Sequence, residues 1–158
     1  MAITIRLEPE NLQPDAELRA FITSLNGDGA VVSFTGLMRP TSKEGEALTG
    51  LFLDHYPGMT ERSISDIATD AAAKFAVEDI LIIHRCGLVL PGAAIVFVAT
   101  SSPHRRAAFE AADYLMDRLK SDAGFWKRED TATGSHWIEP TAQDAKDKER
   151  WSNIHAGN

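Results

Sequence analysis

A chain of 158 residues with 44% hydrophobic content and a formal charge of −7 is long enough for one globular domain with its own core. That charge argues against a broad nucleic-acid or anionic-membrane surface, and no apolar run approaches the roughly 20 residues that a membrane-spanning helix needs. One cysteine, Cys86, excludes an internal disulfide and a cysteine-based zinc cluster. The first residues, Met1-Ala2-Ile3-Thr4-Ile5-Arg6, lack the charged and long apolar regions of a secretory signal, so the chain reads as cytoplasmic.

In chain order, Asp15 is a plausible helix N-cap, followed by Leu18, Phe21, Ile22 and Leu25 at helical spacing, with Gly27 as the stop. Residues 30–35 read as a strand ending at Gly36, residues 37–46 as a polar, mobile loop, and residues 48–56 as a second strand closed by Pro57-Gly58. Thr60 is placed as the cap of a second helix. Its buried stripe is Ile64, Ile67, Ala68, Ala71 and Phe75, and a hydrophobic staple joins Met59 to Ile64. The nearly unbroken apolar runs at 80–85 and 95–100 suit central strands, joined through the Pro91-Gly92 turn.

Ser102 is expected to cap a third helix with Pro103 in its first position. Ala108, Ala111, Ala112, Leu115 and Leu119 form its stripe. Two short strands at 125–129 and 136–139 flank a Thr133-Gly134 turn, and the charged tail from Gln143 suits a short surface helix or a frayed end. No repeat, linker or glycine-rich phosphate loop divides the chain. The pattern predicts an α+β fold with helices packed on a mostly antiparallel sheet, organised as one catalytic domain over 1–142 and a charged tail over 143–158.

Charge is distributed unevenly. Residues 101–128 hold six Lys/Arg against four Asp/Glu, a local +2 in an acidic protein. Such a cluster suggests a small anion. His104 and Arg105 lie at the start of the third helix, where unpaired N–H groups and the helix dipole already favour an anion. Basic side chains weaken a helix at that end, so their presence calls for a reason other than helix stability. Lys120 and Lys127 flank a segment containing Phe125 and Trp126. A lysine desolvated by such neighbours loses basicity and becomes useful for proton transfer. Arg39 follows a strand end in a loop, a common ligand-contacting position. The five histidines show no metal-ligand spacing, so neither a metal nor another cofactor is assigned.

Six ordered segments have a further likeness: Phe34-Thr35-Gly36 with Arg39, residues 53–60, residues 83–87, Pro91-Gly92, His104-Arg105 with Phe109-Glu110-Ala111, and residues 125–129. Together, across residues 29–139, they resemble the large, catalytic subunit of molybdopterin synthases. The resemblance implies an α/β-hammerhead fold with a small extra β subdomain. It also implies a homodimer of this chain at the centre of a heterotetramer, flanked by two small ubiquitin-like sulfur-carrier subunits. The partner's Gly-Gly C-terminus bears a thiocarboxylate, whose sulfur is transferred to cyclic pyranopterin monophosphate to build the dithiolene of molybdopterin.

On this resemblance Lys120 and Lys127 are the catalytic residues, and Arg39, His104, Arg105 and Arg128 bind substrate. Leu37 stands where the family often has lysine. Two competing readings remain at this level: a persulfide sulfur carrier working through Cys86, and a non-enzymatic module that binds a phosphate ligand.

Overall fold

The structure is a computed structural model that describes residues 1–139 and 142–152. Its elements, in order, are β1 (Ala2–Glu8), α1 (Pro14–Ser24), β2 (Ala30–Leu37), β3 (Gly50–Asp54), α2 (Met59–Lys74), β4 (Asp79–Arg85), β5 (Gly87–Val89), β6 (Ala94–Ser102), α3 (Arg105–Asp122), β7 (Trp126–Thr131), β8 (Gly134–Ile138) and α4 (Ala142–Glu149), followed by a 3-10 turn at Arg150–Ser152. The strands form two four-stranded sheets, β1-β4-β6-β2 and β5-β3-β7-β8. Among the described residues only the β1–β4 pairing is parallel.

The large sheet is covered on both faces. Side chains alternate along a strand, so Ile80 and Ile82 of β4 and Val96 and Val98 of β6 face α2 and α3. Leu81, Ile83, Phe97 and Ala99 face the opposite way, onto Phe21 and Leu18 of α1 and Leu25 just after it. Both faces of β4 and β6 are therefore apolar, which explains their nearly continuous hydrophobic sequence. The small sheet has its own core of Met38, Leu48, Leu51, Leu53 and Val89. Phe125, on the link from α3 to β7, packs against both this core and the α2–α3 core.

Several boundaries depart from the sequence pattern. The first helix begins at Pro14, a favoured N1 residue, with Gln13 rather than Asp15 at the cap, and Ile22 of the expected stripe is exposed. The second helix begins at Met59. Gly58 takes the positive φ (87°) of the tight turn, and Glu61 accepts its N–H. Thr60 is buried inside that first turn instead of capping it; its Oγ1 accepts the Tyr56 N–H at 3.0 Å and donates to the Gly124 carbonyl at 3.3 Å. Met59 is exposed, so the expected staple is not formed.

Ser102 still belongs to β6. Its hydroxyl donates to the Ala76 carbonyl (2.7 Å) and accepts the His104 N–H (3.1 Å), so the third helix starts two residues beyond Pro103, with His104 as its cap. The 37–46 loop is tied down by main-chain bonds, Met38 N–H to the Ala93 carbonyl and Leu48 N–H to the Pro40 carbonyl, both 2.9 Å. Met38, at its start, is buried.

The charged tail is held in place as far as Ser152, the last residue described. Trp151 is 5% exposed and sits edge-on to Phe75 and Tyr114, with ring centroids 5.6 and 5.5 Å away. Its indole N–H donates to Asp117 at 2.6 Å, and Arg150 pairs with Asp113 and Asp117 at 2.8 Å each. This clasp lays α4 along α3. No helix among the described residues is long and apolar enough to cross a membrane.

Candidate active site

Three of the candidate side chains converge where the two sheets meet. β7 pairs with β3 and β8 in the register Leu53↔Lys127↔Ile138 and Leu51↔Glu129↔His136. Residues opposite one another in an antiparallel pair share a face. Lys127 and Glu129 therefore point inward with the small-sheet core, while Arg128 and Asp130 point outward. The last turn of α3 brings Lys120 to the same seam, and the loop after β2 brings Arg39.

Two adjoining clefts of about 490 and 400 Å³ occupy this seam, and Arg39, Lys43, Lys120, Lys127 and Glu129 line both. The larger also takes in His136 and Asp144; the smaller runs in to His84, Met116 and Val96. A third hollow, about 610 Å³, is lined by α1 alone and brings no groups of different elements together.

Electrostatics separate the two lysines. Lys127 is largely buried, and its amine is held below the ordinary lysine pKa first by desolvation and then by the positive charge of Lys120, with Asp144 opposing. Lys120 is half exposed and lies 3.9 Å from the Asp144 carboxylate. Glu129 meets His136 at 3.3 Å across the β7–β8 pair. The cleft thus holds one lysine that releases its proton more readily than an ordinary lysine, beside a second, more exposed one. That combination can hold an anion and move a proton within one site.

Of the six residues singled out from the sequence, Arg39, Lys120 and Lys127 come together here. His104 and Arg105 do not. They lie at the other end of an unbroken α3, about 22 Å from Lys120 by the helical rise, exposed and without an ion pair among the described residues. Arg128 lies on the outer face of β7. It is bonded to Asp130 at 2.7 Å and its guanidinium is stacked over Phe52 and Trp137, at 4.8 and 5.8 Å from the ring centroids.

Cys86 is 8% exposed, lines neither cleft, and its thiol is pushed up by burial, the reverse of what a sulfur-carrying thiolate needs. The sequence reading assigned no role to Lys43, His84, Glu129, His136 or Asp144. Two of them carried a readable signal: Glu129 is two residues from Lys127 on a strand, and His84 continues the Ile80, Ile82 alternation with a polar group.

Two sheets meeting over a cationic cleft, with helices on the larger sheet, are the mixed α/β architecture that the α/β-hammerhead expectation describes. The MoaE protein family model matches residues 7–122. A molybdopterin synthase catalytic subunit from Caulobacter vibrioides is 48% identical over 151 residues, spanning 96% of this chain and 97% of the relative. One from Pseudomonas aeruginosa is 42% identical across 94% and 99%.

Among solved structures, a molybdopterin biosynthesis MoaE protein from Burkholderia ambifaria superposes with a TM-score of 0.81 at 36% identity, covering 96% of this chain and 99% of that one. Molybdopterin synthase from Staphylococcus aureus gives 0.74 at 32%, covering 87% and 95%. A chain from Helicobacter pylori, solved as a complex of subunits 1 and 2 of molybdopterin-converting factor, shares the fold at 19% identity and a TM-score of 0.72, covering 85% and 90%. The chain belongs to the MoaE family, the catalytic subunits of molybdopterin synthase.

Proposed function

We propose that this chain transfers sulfur from the thiocarboxylated Gly-Gly C-terminus of a small ubiquitin-like subunit to cyclic pyranopterin monophosphate, in the cytoplasm, and forms the molybdopterin dithiolene. The observation that carries this reading is the pairing of Lys127, buried and lowered in basicity, with Lys120 and Arg39 around one cleft. Both reactants are anions, and a locally cationic cleft in an acidic protein attracts them. The thiocarboxylate sulfur attacks a pterin carbon, and the substrate oxygen departs with a proton. Lys127, whose lowered basicity eases proton release, supplies that proton in this reading, while the Lys120 ammonium offsets negative charge on the tetrahedral intermediate. Arg39 suits the pterin phosphate or ring. A channel that admits two terminal glycines admits backbone without side chains, which is the selectivity such a tail requires.

His104 and Arg105 enter through symmetry. One end of α3 cannot reach a ligand held at the other, but in a two-fold dimer the helix start of one protomer can approach the cleft of its partner. Two composite sites in a heterotetramer with two small subunits follow, and the H. pylori complex of two subunits supports such a partner.

The test is reconstitution with the thiocarboxylated partner and the cyclic pterin, reading dithiolene formation. Alanine at Lys120 or Lys127 is expected to depress turnover by about 100-fold or more with pterin affinity little changed, and Arg39→Ala to weaken affinity first. Full turnover by Lys127→Ala would remove it from the chemistry.

A further inference from the structure

His84 is the one nearly buried ionisable side chain of the cleft that the reaction above leaves without a task. It is 5% exposed and lines the inner cleft with Lys120, Lys127 and Met116. Its Nδ1 lies 2.7 Å from the Arg85 carbonyl oxygen. A carbonyl only accepts, so Nδ1 carries the proton and Nε2 keeps a free lone pair. Stacking on Phe125, with centroids 4.1 Å apart and planes at 21°, fixes the plane of the ring. Nε2 has no hydrogen-bond partner among the described residues, and it is not sealed in the interior. Burial and the nearby Lys127 charge keep the imidazole neutral, with a pKa of about 4.

An oriented acceptor sharing a cleft with a lysine donor selects its occupant. A group that accepts from Lys127 and donates to Nε2 needs both a lone pair and a proton. A carboxylate or thiocarboxylate has no proton to give; water has both. The proposed reaction, on which this inference rests, consumes water by atom balance. Once the sulfur is bonded to the pterin, it is still bonded to the partner's acyl carbon.

We propose that His84 Nε2 orients the water that cleaves this acyl–sulfur bond. The water oxygen bonds to the acyl carbon, the carbon–sulfur bond breaks, and its electron pair stays on the pterin sulfur. One water proton goes to that sulfur and the other to solvent, so the products are the partner's carboxylate, a pterin thiol and a proton. The proton hydrogen-bonded to His84 is the one held away from the attacking lone pair.

The test is a single turnover with thiocarboxylated partner and cyclic pterin, quenched in acid and read by intact-mass spectrometry. His84→Phe keeps the stack on Phe125 and removes Nε2. It is expected to accumulate the covalent partner–pterin conjugate and to slow product release by about 100-fold, the scale of misplacing a reactant at the reacting centre. His84→Gln, which returns an acceptor oxygen near the Nε2 position, should recover at least about tenfold of that loss. If the Phe variant does not fold, His84→Asn replaces it, since its shorter amide reaches only the Nδ1 position. A well-folded variant that turns over normally, or slows without accumulating conjugate, overturns the assignment. A wild-type protein that forms neither conjugate nor dithiolene overturns the sulfur-transfer reading itself, and the His84 role with it.

Discussion

Neighbouring residues His84 and Arg85 divide two tasks between them. Arg85 is buried, and its guanidinium donates to the carbonyls of Glu8, Pro9 and Leu88 and to the Asn11 side chain at 2.8–3.2 Å, stitching the end of β1 to the β4–β5 corner. His84 is buried as a neutral ring, and this has a measurable cost in acid. Its folded pKa of about 4 lies below the ordinary 6.5, so the unfolded chain binds the proton first. Stability is at its full value above pH 6.5 and falls as pH drops towards 4, by on the order of 3 kcal/mol from this group. Denaturant unfolding at pH 7 and pH 4.5 should therefore show a smaller acid loss for His84→Phe than for wild type. Equal losses would place the buried proton demand elsewhere.

At the scale of elements, the α4 clasp offers the clearest handle. Trp151→Ala removes a buried indole from between Phe75 and Tyr114, and large aromatic truncations of this kind cost about 3 kcal/mol. For a chain of this size the melting temperature is expected to fall by roughly 10 °C. Calorimetry checks this, and a shift within about 2 °C would mean that the tail contributes no packing.

Most elements were legible in the sequence because their pattern is local. The α3 stripe of Ala108, Ala111, Ala112, Leu115 and Leu119 is buried as its spacing predicts. The central strands declare themselves by length and β-branched content. β1 is harder to read although Ile3, Ile5 and Leu7 alternate, since its pairing with β4 is long-range. β5 has only three residues, too few for any periodicity. Ser102 and Thr60 have the chemistry of caps, but tertiary partners at Ala76 and Gly124 claimed their hydroxyls. In the site, Lys120 and Lys127 stood out through the aromatic residues between them. His136 and Asp144 reach the cleft through strand register and helix docking, which leave no mark on neighbouring residues.

For the whole molecule, the arrangement of α3 bears on assembly. Arg105→Ala and Lys120→Ala homodimers should each be nearly inactive under the composite-site reading. Mixing and reassembling them yields hybrids with one doubly damaged site and one intact site. With random mixing, half of the dimers are hybrids with half their sites working, so recovered activity should approach about a quarter of wild type. Verified hybrids as inactive as their parents would assign each site to a single chain.

Phe125 has a consequence at this same scale. Lys120 belongs to a helix laid on the large sheet and Lys127 to a strand of the small one, and among the described residues no strand is common to the two sheets. The span between the amines is set by how firmly two separately built bodies are clamped together. Phe125, counted in both cores and stacked on His84, is the rivet. Alignment of the two amines is thus a more fragile property than foldedness: a protein loosened at this rivet is expected to keep its strands and helices yet lose the spacing that the proposed chemistry uses.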